Sequence, residues 1–277
     1  MTKVTVHRRG VFSPHDSCAR STNMSHDPSD SASAAKAPGL PVVDLNEYGG
    51  KKDGVRQAMN ERLFMQLLVF DAPPTTSTEH LIHGLGALLR EKKIAAVVYA
   101  DTMSPRGIGL LTFAEDPAHF VTHVKPLFDA PLLANVIHRP SFAMLGRTYS
   151  TGHEPDLAHV LLRRPIDNVM NESFPWHVWY PLRRTGGFAK LEPLDQSHIL
   201  REHAALGMAY GQTDAAHDVR LACHGLDAAD NEFVIGLVGK TLHPLSHLVQ
   251  AMRKTRQTSE FIAQMGPFFV GYVKERS

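Results

Sequence analysis

His203, Tyr180, Arg183, Arg184 and Arg220 are the residues whose types and spacing best combine into chemistry. Downstream of Pro193, Leu200, His203, Gly207 and Tyr210 recur at helical spacing and form one stripe, the stripe expected to face the rest of the fold. An imidazole on that stripe points inward, and Gly207, one turn on, leaves room beside it for something flat. A neutral, inward imidazole in a slot is what an axial ligand of haem iron requires. The plainer alternative is a core histidine satisfied by its neighbours. Upstream, Trp179-Tyr180-Pro181-Leu182-Arg183-Arg184 brings an oxidisable phenol next to two guanidiniums, the groups best suited to bidentate carboxylate binding. Further on, Asp218, Arg220, Ala222 and His224 alternate with Val219, Leu221 and Cys223, so Arg220 faces either the interior of the fold or solvent. His243 and His247 share a helix face at i,i+4 and could hold zinc, but no glutamate base lies between them and no third ligand is evident.

These residues need a framework, and the apolar periodicity describes one. Residues 63–70, 94–101, 108–113 and 142–149 read as strands, with helices over 78–92 and from the Asp116-Pro117 start to about 128. The order β-α-β-β-α-β then returns: strands at 178–182, 219–223, 233–238 and 268–273, helices at 193–210 and 244–258. Each half is the ferredoxin-like unit, whose helices cover one sheet face and leave the other in need of a partner. The expected fold class is therefore α+β, two ferredoxin-like repeats closing face to face into an α/β barrel. The competing arrangement is two independent domains on a linker, because the stretch 150–175 is long and irregular. The expected boundaries are a disordered leader at 1–38, an extended arm at 39–60 with a Gly-Gly-Lys-Lys turn, a first repeat at 61–165 and a second at 166–277 that carries the site.

Composition narrows the partners. A formal net charge of +1 gives no concentrated basic surface for nucleic acid or an anionic membrane. Two cysteines are too few for a disulfide framework or a cysteine-based metal cluster, which fits a reducing cytoplasm. No apolar run approaches the roughly 20 residues needed to span a bilayer, and the N-terminus lacks the apolar segment of a signal peptide. A soluble, cytoplasmic protein is expected.

The run Tyr180-Pro-Leu-Arg-Arg, followed 23 residues after Tyr180 by His203, resembles the tyrosine strand and proximal-histidine helix of coproheme decarboxylases. Gly225-Leu-Asp, Asn231-Glu-Phe, Met252-Arg-Lys-Thr and Gly266-Pro-Phe-Phe-Val-Gly resemble the C-terminal half of the wider chlorite dismutase and coproheme decarboxylase superfamily. The resemblance spans about residues 59–272. It implies haem b or iron coproporphyrin III ligated by His203, with propionates held by Arg184 and Arg183 and met by Tyr149. In the decarboxylases, hydrogen peroxide is the oxidant, and the tyrosine at the place of Tyr180 becomes the radical that attacks two propionates, making haem b. Counting back from Phe233 places Arg220 at the distal position where chlorite dismutases carry arginine; counting back from Gly225 places Asp218 there. The implied alternatives are a chlorite dismutase, turning chlorite into chloride and dioxygen, and a haem binder with no activity or another peroxidase activity. The resemblance also implies a ring-like homo-oligomer, of which a pentamer is one form.

With so little apolar content, residues 1–38 cannot offset the entropy of ordering them. Their deletion is expected to leave the melting temperature and porphyrin binding unchanged; a fall of several degrees in a thermal melt would show that the segment packs.

Overall fold

The computed structural model describes residues 40–277, in two units: a tail ending at Val43 and a body of Asp44–Ser277. The expectation for residues 1–38 lies outside the described residues. The body opens with a hairpin, β1 (Glu47–Lys52) and β2 (Val55–Met59), where an extended arm was expected. Its turn sits at Asp53-Gly54, both at positive φ, the pairing that two-residue hairpin loops favour. The Gly49-Gly50 pair lies in strand rather than turn, because segment 153–157 passes too close for side chains: a Cβ on Gly50 would lie 3.1 Å from the Glu154 carbonyl, to which the Gly50 N–H donates at 2.8 Å.

The first half then runs β3 (Phe64–Asp71), α1 (Thr78–Lys92), β4 (Ala96–Asp101), β5 (Gly107–Ala114), a short β6 (Ile137–His138) and β7 (Met144–Thr148). The expected helix after Pro117 forms as one wide turn at Phe120–Val124 that tightens into a 3₁₀ segment, Lys125–Asp129. Pro126, which has no N–H to donate, stands at that change. The stretch between the halves is helical where irregular chain was expected, a wide turn at His159–Arg163 leading into α2 (Arg164–Met170). The second half runs β8 (Trp176–Arg184), α3 (Gly186–Ala189), α4 (Pro193–Gln212), β9 (His217–Ala222), β10 (Phe233–Gly239), α5 (Leu242–Met252), α6 (Arg256–Phe261), β11 (Ile262–Met265) and β12 (Phe269–Arg276). One helix was expected over 244–258. The chain breaks it at Arg253–Thr255, where the Thr255 hydroxyl donates back to the Met252 carbonyl at 2.7 Å.

The principal strands form one antiparallel sheet in the order β10-β9-β7-β3-β5-β4-β12-β8. β10 also pairs with β8 over seven residues, Phe233 opposite Leu182 through Gly239 opposite Trp176, so the chain of pairings returns to its start. Alternation along each strand then divides the core. One face collects Met65, Leu67, Val97, Tyr99, Leu111, Trp179, Val219, Leu221, Val234 and Phe269 into a single buried cluster. The opposite face is covered by α1 in the first half and by α4 and α5 in the second. Close packing inside is visible at Gly236, where an added Cβ would come within 2.6 Å of the Trp179 ring.

His177 is fully buried among these apolar residues, and burial pushes its pKa down to about 3, with Arg276 adding to the effect. An unfolded histidine titrates near 6.5. Between those values the unfolded chain binds a proton that the native state does not, so stability falls as pH drops, by up to about 1.4 kcal/mol per pH unit. Melting curves from pH 7 to 4 should show this acid loss, and His177→Gln should flatten it.

Candidate functional site

Across the second half of the sheet, the face toward the helices carries a row of three residues. Tyr180 on β8 is opposite Ile235 on β10, and Ile235 is opposite Arg220 on β9. Two strand spacings separate Tyr180 from Arg220, about 10 Å between Cα atoms. Arg220 thus lies under the helix layer, neither inside the strand circuit nor on an open surface; its neighbours Val219, Leu221 and Cys223 take the inner face. Asp218 shares the face of Arg220. The two alternatives for the distal position are paired with each other, Arg220 Nε 3.0 Å from Asp218 Oδ2, with Arg164 of α2 on the other carboxylate oxygen. Burial works against the Arg220 charge, but Asp218 and, further off, Tyr149 and Glu154 more than offset it.

Tyr180 is buried, and its ring stacks on Phe268 with 4.6 Å between centroids. Tyr149, just past β7, packs against Phe233 at 5.5 Å. Burial raises the pKa of both phenols, with nearby Asp218 adding to the rise, and no hydrogen bond from the described residues contributes to either. A buried tyrosine hydroxyl normally finds a partner. Two of them on one face, beside a guanidinium, make a donor set suited to carboxylates.

Arg184 follows Tyr180 and Leu182 on the same face. Its guanidinium lies over the rings of Phe188 at 4.5 Å and Phe233 at 4.8 Å, and its Nε donates to Glu232 at 2.9 Å. Arg183 belongs to the other set. Its guanidinium is tied to the Ala229 carbonyl, to Gln264 and to Asp230, so the two arginines do not act as a pair.

Above this face lies α4, started by Pro193 in its first turn. Its inward stripe is Ile199, His203, Leu206 and Tyr210; Leu200, expected to face in, is 42% exposed. Of the twenty residues in α4 only Ile199 is buried. His203 is half-buried, and burial lowers its pKa, helped by the Arg220 charge, which keeps the imidazole neutral. Its Nδ1 lies 3.5 Å from Thr255 Oγ1. Since that hydroxyl spends its own hydrogen on Met252, it accepts from Nδ1–H and leaves the Nε2 lone pair for a ligand. Gly207 does not supply the room expected of it. A Cβ there would make an ordinary 3.6 Å contact with the Met252 methyl, so room near His203 comes from sparse packing of the whole helix.

Arg164, Glu232 and Thr255 were not singled out from sequence as site residues. Their partners lie 54, 48 and 52 residues away, beyond any local pattern. His243 and His247 sit on α5 beside a cavity of about 410 Å³, where Tyr210 hydrogen-bonds His247 Nδ1. Among the described residues no three histidine, cysteine or carboxylate side chains gather as a metal site. Nor is any described helix long and apolar enough to cross a membrane.

Residues 158–274 match the family model for chlorite dismutase. No curated protein matches by sequence. A heme-binding protein from Thermus thermophilus superposes with a TM-score of 0.59 at 15% identity, over 78% of this chain and 92% of that one. Chlorite dismutase from Candidatus Nitrospira defluvii, in its imidazole complex, superposes with a TM-score of 0.60 at 13% identity, over 78% and 92%. The matched stretch starts within the connecting segment, before α2, runs through α4 to β12 and so contains Tyr180, His203 and Arg220. Residues 158–274 thus carry the sequence pattern of the chlorite dismutase family, and the body has the fold seen in chlorite dismutase structures.

Proposed function

We propose that this protein holds an iron porphyrin between α4 and the outer face of β8, β9 and β10, and that it is a peroxide-dependent decarboxylase of iron coproporphyrin. The strand circuit is read here as two ferredoxin-like repeats closed into an α/β barrel, with the site on the second. The donor set fits the group: His203 offers a neutral Nε2 to iron, and Tyr149, Arg184 and Arg220 offer hydrogens to propionates. The relative from Thermus thermophilus described as heme-binding supports the same cofactor class. When bound, the iron porphyrin supplies one-electron oxidising power from peroxide.

The remaining chemistry belongs to the chain. The observation that carries the decarboxylase reading is Tyr180, a buried phenol facing α4 whose hydroxyl has no partner among the described residues. Such a group can give up an electron and a proton to an oxidant placed against it. Tyr149 and Arg184 orient carboxylates toward it. Arg220 speaks less for chlorite chemistry than its residue type suggests, because Asp218 already neutralises the guanidinium that would have to retain an anion. The cavity of about 20 Å³ beside Arg220 and Tyr149 is closed by Val160, Arg164 and Pro165 rather than by α4; Leu206 and Tyr210 of α4 pack on the sheet cluster, so a macrocycle under α4 requires the helix to lift. With one buried residue in twenty, α4 loses little packing by lifting.

His203→Ala is expected to abolish the Soret band of added iron coproporphyrin while circular dichroism stays native. Thr255→Val, which removes the acceptor for Nδ1, should weaken porphyrin affinity by about tenfold. Full retention of binding in His203→Ala removes the axial assignment. Tyr180→Phe keeps the ring and its stacking on Phe268, so porphyrin binding should remain near normal while peroxide-driven loss of carboxyl groups, read by mass spectrometry of the extracted porphyrin, stops. Decarboxylation at the wild-type rate would exclude the phenol, and oxygen release from chlorite by the same preparation would favour the chlorite dismutase reading.

A further inference from the structure

Behind Tyr180, on the inner face of β8, lies a set of side chains that the proposed chemistry does not use. His177 Nε2 is 3.1 Å from the Phe174 carbonyl, which can only accept, so Nε2 carries the hydrogen and Nδ1 the lone pair. The Tyr99 hydroxyl, 2.8 Å from Nδ1, donates to it. Both residues are fully buried. Tyr99 is on β4 and His177 on β8, with β12 between them. The side chain crosses β12 at Gly271, where a Cβ would come within 2.9 Å of Tyr99 Cβ and 2.7 Å of the Phe269 ring. Trp179 is buried on the same inner face, its indole N–H without a hydrogen bond of full geometry. That indole does reach the Tyr99 oxygen closely enough to oppose, in part, the rise that burial imposes on the phenol's pKa.

A phenol–imidazole pair in an apolar core costs desolvation that a Phe–Leu pair would not. What the pair adds is a base in hydrogen-bond contact with a buried phenol. A tyrosine can lose an electron in a low-dielectric interior only if its proton leaves as well, because the cation would be left uncompensated. Among the described tyrosines, Tyr149, Tyr180 and Tyr272 have no such base, and the bases bonded to Tyr48 and Tyr210, Asp44 and His247, are exposed.

We infer that Tyr99 and His177 form the buried end of an electron-transfer path that drains oxidising equivalents from the outer face of β8 through Trp179, the residue next to Tyr180. The inference rests on the porphyrin reading given above. In the step, one electron passes from Tyr99 by way of Trp179 to an iron porphyrin oxidised by peroxide, which is reduced by one electron. The phenolic proton passes to His177 Nδ1, leaving a neutral Tyr99 radical and an imidazolium still bonded through Nε2–H to Phe174. Arg276, whose Nη2 donates to the same carbonyl at 2.9 Å, disfavours that imidazolium and so favours return of the proton once the electron comes back.

The test is freeze-quench electron paramagnetic resonance of Tyr180→Phe protein loaded with iron coproporphyrin and mixed with peroxide, with the Soret band read first as a separate measure of loading. The expected result is a radical whose hyperfine pattern collapses on ring-deuteration of tyrosine, couples to ¹⁵N-histidine, and is lost in Tyr99→Phe and in Trp179→Phe. If Tyr99→Phe does not fold, a radical with both isotope signatures that persists in Tyr210→Phe, the other tyrosine bonded to a histidine, carries the assignment. Loading without a tyrosyl radical overturns the path while the porphyrin reading stands. So does a tyrosyl radical with no histidine coupling, or one lost in Tyr210→Phe but kept in Tyr99→Phe. Absence of loading overturns both.

Discussion

Strand β8 is paired along both edges, to β12 on one side and to β10 on the other, and the rest of the molecule depends on that double engagement. With both edges fixed, its register cannot slip, and a slip of one residue would exchange its two faces. Trp179 and His177 are therefore held on the inner face, and Tyr180, Leu182 and Arg184 on the outer one. The same pairings set the outer row: β10 places Ile235 beside Tyr180, and β9 places Arg220 beyond it. Neither chemistry-bearing position has to be oriented by its own side-chain contacts. The sheet orients both, to the accuracy of a hydrogen-bonded ladder.

The helix layer is built on the opposite principle. α1 buries Leu81, Ile82, Leu85, Gly86 and Leu89 against the first half of the sheet, whereas α4 buries Ile199 alone. Alanines and glycines make up much of α4 after His203, and small side chains reach little of the sheet. What keeps His203 in place is polar and comes from α6: Thr255 at its Nδ1, with the adjacent Arg256 N–H donating to Glu202 at 3.1 Å. A rigid sheet opposite a lightly packed helix lets one face keep its geometry while the other yields.

Much of this was legible in the sequence, and the reasons differ by element. The eight principal strands and helices α1 and α4 stand out because alternation and helical spacing are local signals, and His203 was placed facing inward from spacing alone. The orientation of Arg220 was not legible. The 218–224 alternation shows two faces but not which one the helices cover, and that depends on pairing with β10 and β7. Leu200 and Ile199 illustrate the same limit. Adjacent apolar residues on a helix differ by about 100° in direction, and only the packing of α4 decides that Ile199 faces in. Arg183 and Arg184 looked like one double cation until strand alternation and the Asp230 and Glu232 contacts separated them.

Electrostatics explains why the outer face can be crowded with donors and remain folded. Arg220 and Arg164 would repel across the half-buried layer without Asp218, which contacts both. Arg184 is balanced by Glu232 and shielded by two aromatic faces. Asp218 and Glu232 thus compensate these cations, and the groups packed on the phenol are apolar, Phe268 against its ring with Leu206 and Ile235 in the same cluster, while Asp218 and Arg253 act on its pKa in opposite senses. In such surroundings the neutral phenol is strongly preferred to phenolate, so the group can act as a hydrogen-bond donor or a source of an electron with its proton, but not as an anion. The arrangement therefore selects among the chemistries open to a tyrosine before any substrate arrives, and it does so chiefly by burying the phenol among apolar side chains rather than by any contact to the hydroxyl itself.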